Sequence, residues 1–311
     1  MIHEKARTQD DVRPVNPLME DRLNETVSQE LKSLYGERSV NRRTFVVTSL
    51  SAGFAMAVLP VSAQTITTSA EGLVAGEVKV KTKDGEMPAY RAMPATGSDF
   101  PTVLVVHEAF GVHEHIKDIC RRIAKAGYFA IAPELYARQG DASKYTDTTK
   151  LLSEVVSKVT DAQVNSDLDA TVAYAKSTGK AETSRLGITG FCWGGRIVYM
   201  YAAYNPNVKA GVAWYGATAR VFAPGDTPAL DVAARIRAPI LGLYGAADGG
   251  IPNDTVEKMY AALKASGNTR SEYTLYPDTP HAFNADYRPS YRKQQAEDAW
   301  QKMIAWFRLN L

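Results

Sequence analysis

Cysteine is nearly absent from this chain: Cys120 and Cys192 are the only two in 311 residues. A scaffold held by several disulfides is thereby excluded; one bridge between Cys120 and Cys192 stays open in an exported chain, though a core of this size does not need it. Charge of one sign is missing too. The formal net charge is +2 and no basic block occurs, so nothing supports nucleic-acid binding. Long apolar runs are also lacking: the most apolar stretch is broken by Ser and Thr before it reaches the roughly 20 residues of a membrane span. Hydrophobic residues at 45% and charged residues at 23% are ordinary for a globular protein, which excludes a disordered or collagen-like chain.

Residues 1–63 read as a targeting segment outside the fold. Arg42-Arg43 precede an uncharged, modestly apolar stretch that closes on Val61-Ser62-Ala63. This order resembles a twin-arginine export signal cleaved after Ala63. The resemblance implies the twin-arginine export machinery of a bacterium as a partner, a periplasmic or secreted product, and no stable membrane span after processing. Acidic and basic side chains are equally numerous in the segment, so the mature chain keeps its net charge of +2.

From residue 72 the pattern changes to short β-rich runs alternating with helical stretches. Val78 and Val80 alternate ahead of Lys83-Asp84-Gly85, which reads as a hairpin. Six apolar runs follow, beginning with TVLVVHE (102–108) and ending with SEYTLYP (271–277). Continuous apolar runs suit strands covered on both faces, as in a parallel sheet. Helical patterns span about 113–126, 149–178, 193–204, 253–267 and 291–309, the last expected to pack Trp300, Ile304 and Phe307 on the sheet. Strands alternating with helices predict a doubly wound, mostly parallel α/β sheet in one domain over 72–311.

Within it, Gly190-Phe191-Cys192-Trp193-Gly194-Gly195 stands between a predicted strand (185–191) and a predicted helix (193–204). The pattern G-x-C-x-G in that setting is a nucleophile elbow with Cys in place of Ser. The helix N-terminus would favour negative charge on the sulfur. Cys120, in a helical pattern, reads instead as a buried residue. Asp248 follows one predicted strand and His281 the last, so the chain order is nucleophile, acid, histidine. All three fall at the carboxyl ends of strands, where open α/β sheets keep their sites.

Four motifs make the pattern specific: HEAFGV (107–112), PELYARQG (133–140), GFCWGG (190–195), and GAADGGIP with HAF. From about residue 72 onward the chain resembles the dienelactone hydrolase (carboxymethylenebutenolidase) family of α/β-hydrolases. The resemblance implies hydrolysis of an activated ester or lactone, with a Cys192, His281 and Asp248 triad, a thioester intermediate and no cofactor. Glu108 matches a family glutamate that interacts with the resting thiol and helps to deprotonate it. Backbone N–H groups of Ala109 and Trp193 match the oxyanion donors, and Arg138 matches an arginine that grips a substrate carboxylate. Where a second such arginine is expected, Ala285 stands, and Arg288 is the nearest substitute.

Tyr136, Trp193 and Tyr215 are candidates for the pocket lining. His107, His113 and His115 with Glu108 and Glu114 match no zinc signature, so no metal is expected. Three rival classes remain. An ordinary carboxylesterase or thioesterase of the same fold would show no preference for an anionic lactone. A binding protein would form no acyl-enzyme, and a thiol-redox protein would pair Cys192 with Cys120.

Overall fold

A computed structural model describes residues 65–311. The export segment expected over 1–63 lies outside the described residues. Eight strands form one sheet: β1 (Leu73–Thr82), β2 (Gly85–Pro94), β3 (Phe100–Val106), β4 (Phe129–Pro133), β5 (Ala181–Phe191), β6 (Val208–Trp214), β7 (Ile240–Gly245) and β8 (Glu272–Tyr276), in the order β1-β2-β4-β3-β5-β6-β7-β8. The expected hairpin is present. Thr82 pairs with Gly85 across a two-residue turn, and Gly85 takes φ +148°, which suits glycine. β2 joins β4 antiparallel, and every pairing from β4 through β8 is parallel.

The apolar runs read as strands covered on both faces are so covered: β4 and β7 are buried at every residue. The principal helices are α1 (Glu114–Lys125), α2 (Thr148–Glu154), α3 (Asp161–Ser177), α4 (Trp193–Tyr204), α5 (Asn253–Ala265) and α6 (Lys293–Asn310). Two glycines show how they divide between the faces. Gly187 lies so close to Phe307 and Leu311 at the end of α6 that a Cβ would meet them at 3.1 and 2.8 Å. Gly211 lies against Val198 of α4, at 2.8 Å from the position of a Cβ. Ile188 pairs with Gly211, and successive residues of a strand face opposite ways, so α4 and α6 cover opposite faces.

One helix expectation changes and another is refined. The pattern over 149–178 is not one helix: it breaks at Val159-Thr160, where the Thr160 side chain accepts the N–H of Gln163 and starts α3 anew. On α6, Ile304 and Phe307 are buried as expected, and Trp300 packs against the core but stays half-buried, lining a surface cleft with Arg122 and Tyr291. Among the described residues no helix is long and apolar enough to cross a membrane.

Candidate active site

The elbow exists, and its glycines are there for space. Cys192, between β5 and α4, takes φ +55° and ψ −113°, a left-handed value rare for a residue with a side chain. Its N–H donates to the Trp214 carbonyl at 3.0 Å, tying the turn to β6. A Cβ on Gly194 would stand 2.5 Å from the carbonyl oxygens of both Val106 and His107, so α4 starts in direct contact with the end of β3. Strain at Cys192 is thus held by backbone on both sides.

His281 and Asp248 meet. The imidazole Nδ1 donates to Asp248 Oδ2 at 2.5 Å, and both residues are almost wholly buried. Burial disfavours the imidazolium, but the Asp248 charge and the Cys192 sulfur, each also by hydrogen bond, outweigh it and hold His281 well above its ordinary range. Asp248 is fixed in turn, its Oδ1 accepting the N–H of Gly250 at 2.9 Å. The three residues nominated from separate loops therefore share one site at the carboxyl ends of β5, β7 and β8. Glu108, Ala109 and Trp193 are buried beside them, after β3 and at the first position of α4. A first-turn N–H such as that of Trp193 has no acceptor within its own helix.

Glu108 has partners that the sequence did not reveal. Its Oε2 accepts the Tyr287 hydroxyl at 2.6 Å and lies 3.2 Å from His113 Nε2. Burial would raise this carboxyl, yet the His113 hydrogen bond and the Arg288 charge hold it well below the carboxylate range. Arg288 is itself buried, donates through Nε to the Tyr287 hydroxyl at 3.0 Å and lies over the Phe110 ring. No motif marked Tyr287, although its position beside Arg288 was a signal that could have found it. His113, by sequence a member of the possible metal cluster, instead bonds Glu108.

Arg138 has a different setting. Its guanidinium donates to Asp84 in the hairpin turn, to Asp167 on α3 at 2.6 and 2.9 Å, and to Thr82. This clasp joins the first hairpin to α3, and gripping a substrate would require Arg138 to release part of it. Tyr136 and Trp193 pack ring on ring at 4.9 Å, with His107 stacked on Trp193 at 5.3 Å. His107 accepts the Leu135 N–H at Nε2, so Nδ1 carries the proton it donates to the Glu108 carbonyl at 2.7 Å. His107 is therefore a pin between the loops after β3 and β4. His115 lies 3.4 Å from Asp286, Glu114 pairs with Lys117 on the surface, and no group of described residues could hold a metal ion. Cys120 is a free, fully buried thiol, and burial pushes its ionisation up.

The family description "Dienelactone hydrolase family" matches residues 87–311, nearly the whole described chain. The chain belongs to the dienelactone hydrolase family. A protein of Methylorubrum extorquens, provisionally named as a carboxymethylenebutenolidase, is 61% identical over 286 residues, which cover 90% of this chain and 96% of that one. A protein of Escherichia coli K12 with the same provisional name is 49% identical, covering 85% and 97%. The crystal structure of a provisionally named dienelactone hydrolase from Klebsiella pneumoniae superposes with a TM-score of 0.73 at 52% identity, covering 76% of this chain and 98% of that chain. The fold is thus the α/β-hydrolase fold of dienelactone hydrolases, and the protein is a hydrolase of that family.

Proposed function

We propose that this dienelactone hydrolase family member opens an activated ester or lactone of the dienelactone type through a thioester on Cys192. The observation that carries the reading is the bond between His281 and Asp248 at an imidazole under the influence of the Cys192 sulfur. His281 takes the thiol proton, the thiolate adds to the carbonyl, and the N–H groups of Ala109 and Trp193 hold the oxyanion. The C–O bond breaks, His281 protonates the departing oxygen, and water activated by the same imidazole then hydrolyses the thioester. An enolate leaving group suits this nucleophile. A thiolate is itself expelled readily, so the other group must leave at least as well.

In this reading Glu108 manages the charge state of the site, supported by its bonds to Tyr287 and His113. Of the two candidate arginines, Arg288 belongs to the Glu108 network and we assign it the substrate carboxylate, with Tyr136 beside Trp193 as pocket lining. Arg138 contributes to binding only if substrate draws it from Asp84 and Asp167. Arg42-Arg43 and the Val61-Ser62-Ala63 boundary support export by the twin-arginine route to the periplasm or beyond.

The deciding experiment is the turnover of a dienelactone and of an aryl acetate by wild type and by Cys192→Ala. Fast lactone opening, lost in the variant, is the expected result. Aryl ester turnover alone would make the protein an ordinary esterase of this family, and activity surviving in the variant would overturn the mechanism.

A further inference from the structure

Among the buried polar groups that the chemistry proposed above leaves unused, the hydroxyl of Tyr215 stands against the catalytic imidazole. Tyr215 has no exposed surface, and among the described residues its hydroxyl has no hydrogen-bond partner. A buried hydroxyl without a partner costs free energy and calls for a reason.

Its surroundings supply one. The Tyr215 ring lies against the His281 imidazole, with centroids 4.9 Å apart, and Phe283 stands edge-on behind it at 5.6 Å. Besides burial, the groups that act on the hydroxyl are Glu108, Tyr287, Cys192 and Arg288, all of them residues of the site. Sheet order agrees: β6, which ends at Trp214, is the neighbour of β5, which delivers Cys192.

The backbone is bent to achieve this. Tyr215 takes φ +39°, a conformation that disfavours a bulky side chain. Its N–H donates to the Leu243 carbonyl at 2.9 Å, and Tyr244 holds the next carbonyl, that of Gly216, at 3.0 Å. Strain, burial without a partner and contact with the imidazole are three separate features, and together they point to a ligand atom.

We propose that the Tyr215 hydroxyl donates a hydrogen bond to the oxygen that leaves the scissile carbonyl, which makes it a further catalytic residue. The inference rests on the thioester reading. In the acylation step the bond from sulfur to carbon forms and the C–O bond breaks, its electron pair passing to the departing oxygen. The proton that His281 took from Cys192 goes to that oxygen, while Tyr215 keeps its own. The ring that carries this donor packs on the imidazole that must reach the departing oxygen, so donor and oxygen share one end of the site. Such a donor matters most where charge builds up on oxygen before the proton arrives. Protonation by His281 and this bond together let an enolate oxygen leave at least as well as the thiolate, and the help is largest for the least stabilised enolates.

The test compares single-turnover acylation by phenyl acetate and by para-nitrophenyl acetate in wild type, Tyr215→Phe and Cys192→Ala, with thermal melting of each. Loss of one donor at a developing oxyanion slows a reaction by roughly 100-fold. Tyr215→Phe should approach that loss on phenyl acetate, lose less than about fivefold on the nitrophenyl ester that needs no help, and melt no lower than wild type. An equal loss on both esters, no loss on either, or a fall in melting temperature would overturn the assignment. Activity that survives Cys192→Ala would instead overturn the thioester reading, so the two failures are distinguishable.

Discussion

Replacing Gly194 by Ala asks whether the contact between α4 and β3 builds the site. The added Cβ would stand 2.5 Å from the Val106 and His107 carbonyl oxygens and 2.8 Å from the Val106 carbonyl carbon. All three are backbone atoms, so no side chain can swing aside. Ordinary contact begins near 3.4 Å, so the end of β3 and the start of α4 must separate by close to 1 Å. Forcing a group into a packed interior costs about 1–3 kcal/mol, occasionally more. In a domain of this size each kcal/mol lowers the melting temperature by roughly 2–4 °C. The kinetic effect should be larger. The end of β3 carries Glu108 and Ala109, the start of α4 carries Trp193, and a misplacement of about 1 Å can cost 100-fold in rate. The assay is kcat on an activated aryl ester together with a thermal melt. Gly76→Ala serves as control, since a Cβ there meets nothing within 4 Å. A Gly194→Ala protein that melts with the control and keeps kcat within twofold of wild type would refute the claim that this contact positions the site.

Asp248→Asn should lower kcat by roughly 10³-fold or more, because it removes the carboxylate that orients and charges His281. It also carries a signed pH dependence: His281 is held above its unfolded value of 6.5, so the stability this contributes is fully present below about that pH and fades as pH rises through the folded value. Denaturant midpoints of wild type and Asp248→Asn should therefore differ more at low pH than at high pH, and a gap that widens with rising pH would contradict the assignment. Tyr287→Phe removes a hydrogen bond to a buried carboxylate, worth about 1.5–3 kcal/mol, and should raise the Glu108 ionisation toward its ordinary range, visible as a shifted acidic limb of kcat/KM. Arg138→Ala should return Asp84 from about 2 toward 3.8 in an NMR titration, and a large rise in KM for an anionic lactone alone would show that the guanidinium also serves substrate. Cys120→Ala should keep full ester turnover, since that thiol is buried in α1 and un-ionised; inactivity would favour a redox pair.

The sequence by itself determined the elements and the chemistry that each could carry. Apolar runs for β3 to β7 fixed a covered sheet because only strands buried on both faces tolerate unbroken hydrophobicity. The glycines around Cys192 marked the elbow because a tight turn between strand and helix admits no Cβ there, as the contacts of Gly190 and Gly194 confirm. Local signals failed where long-range packing decided. The break before Thr160 was hidden in a stretch that is helix-compatible on both sides, and nothing local showed that Trp300, though packed on the core, stands at the rim of a cleft. Tertiary structure alone decided which charges meet: Glu108 with Tyr287, 179 residues away, and Arg138 with Asp84 and Asp167. A hydrophobic pattern fixes which face of a strand or helix turns inward. The partner of a buried charge is chosen only when loops from distant strands close over the same end of the sheet.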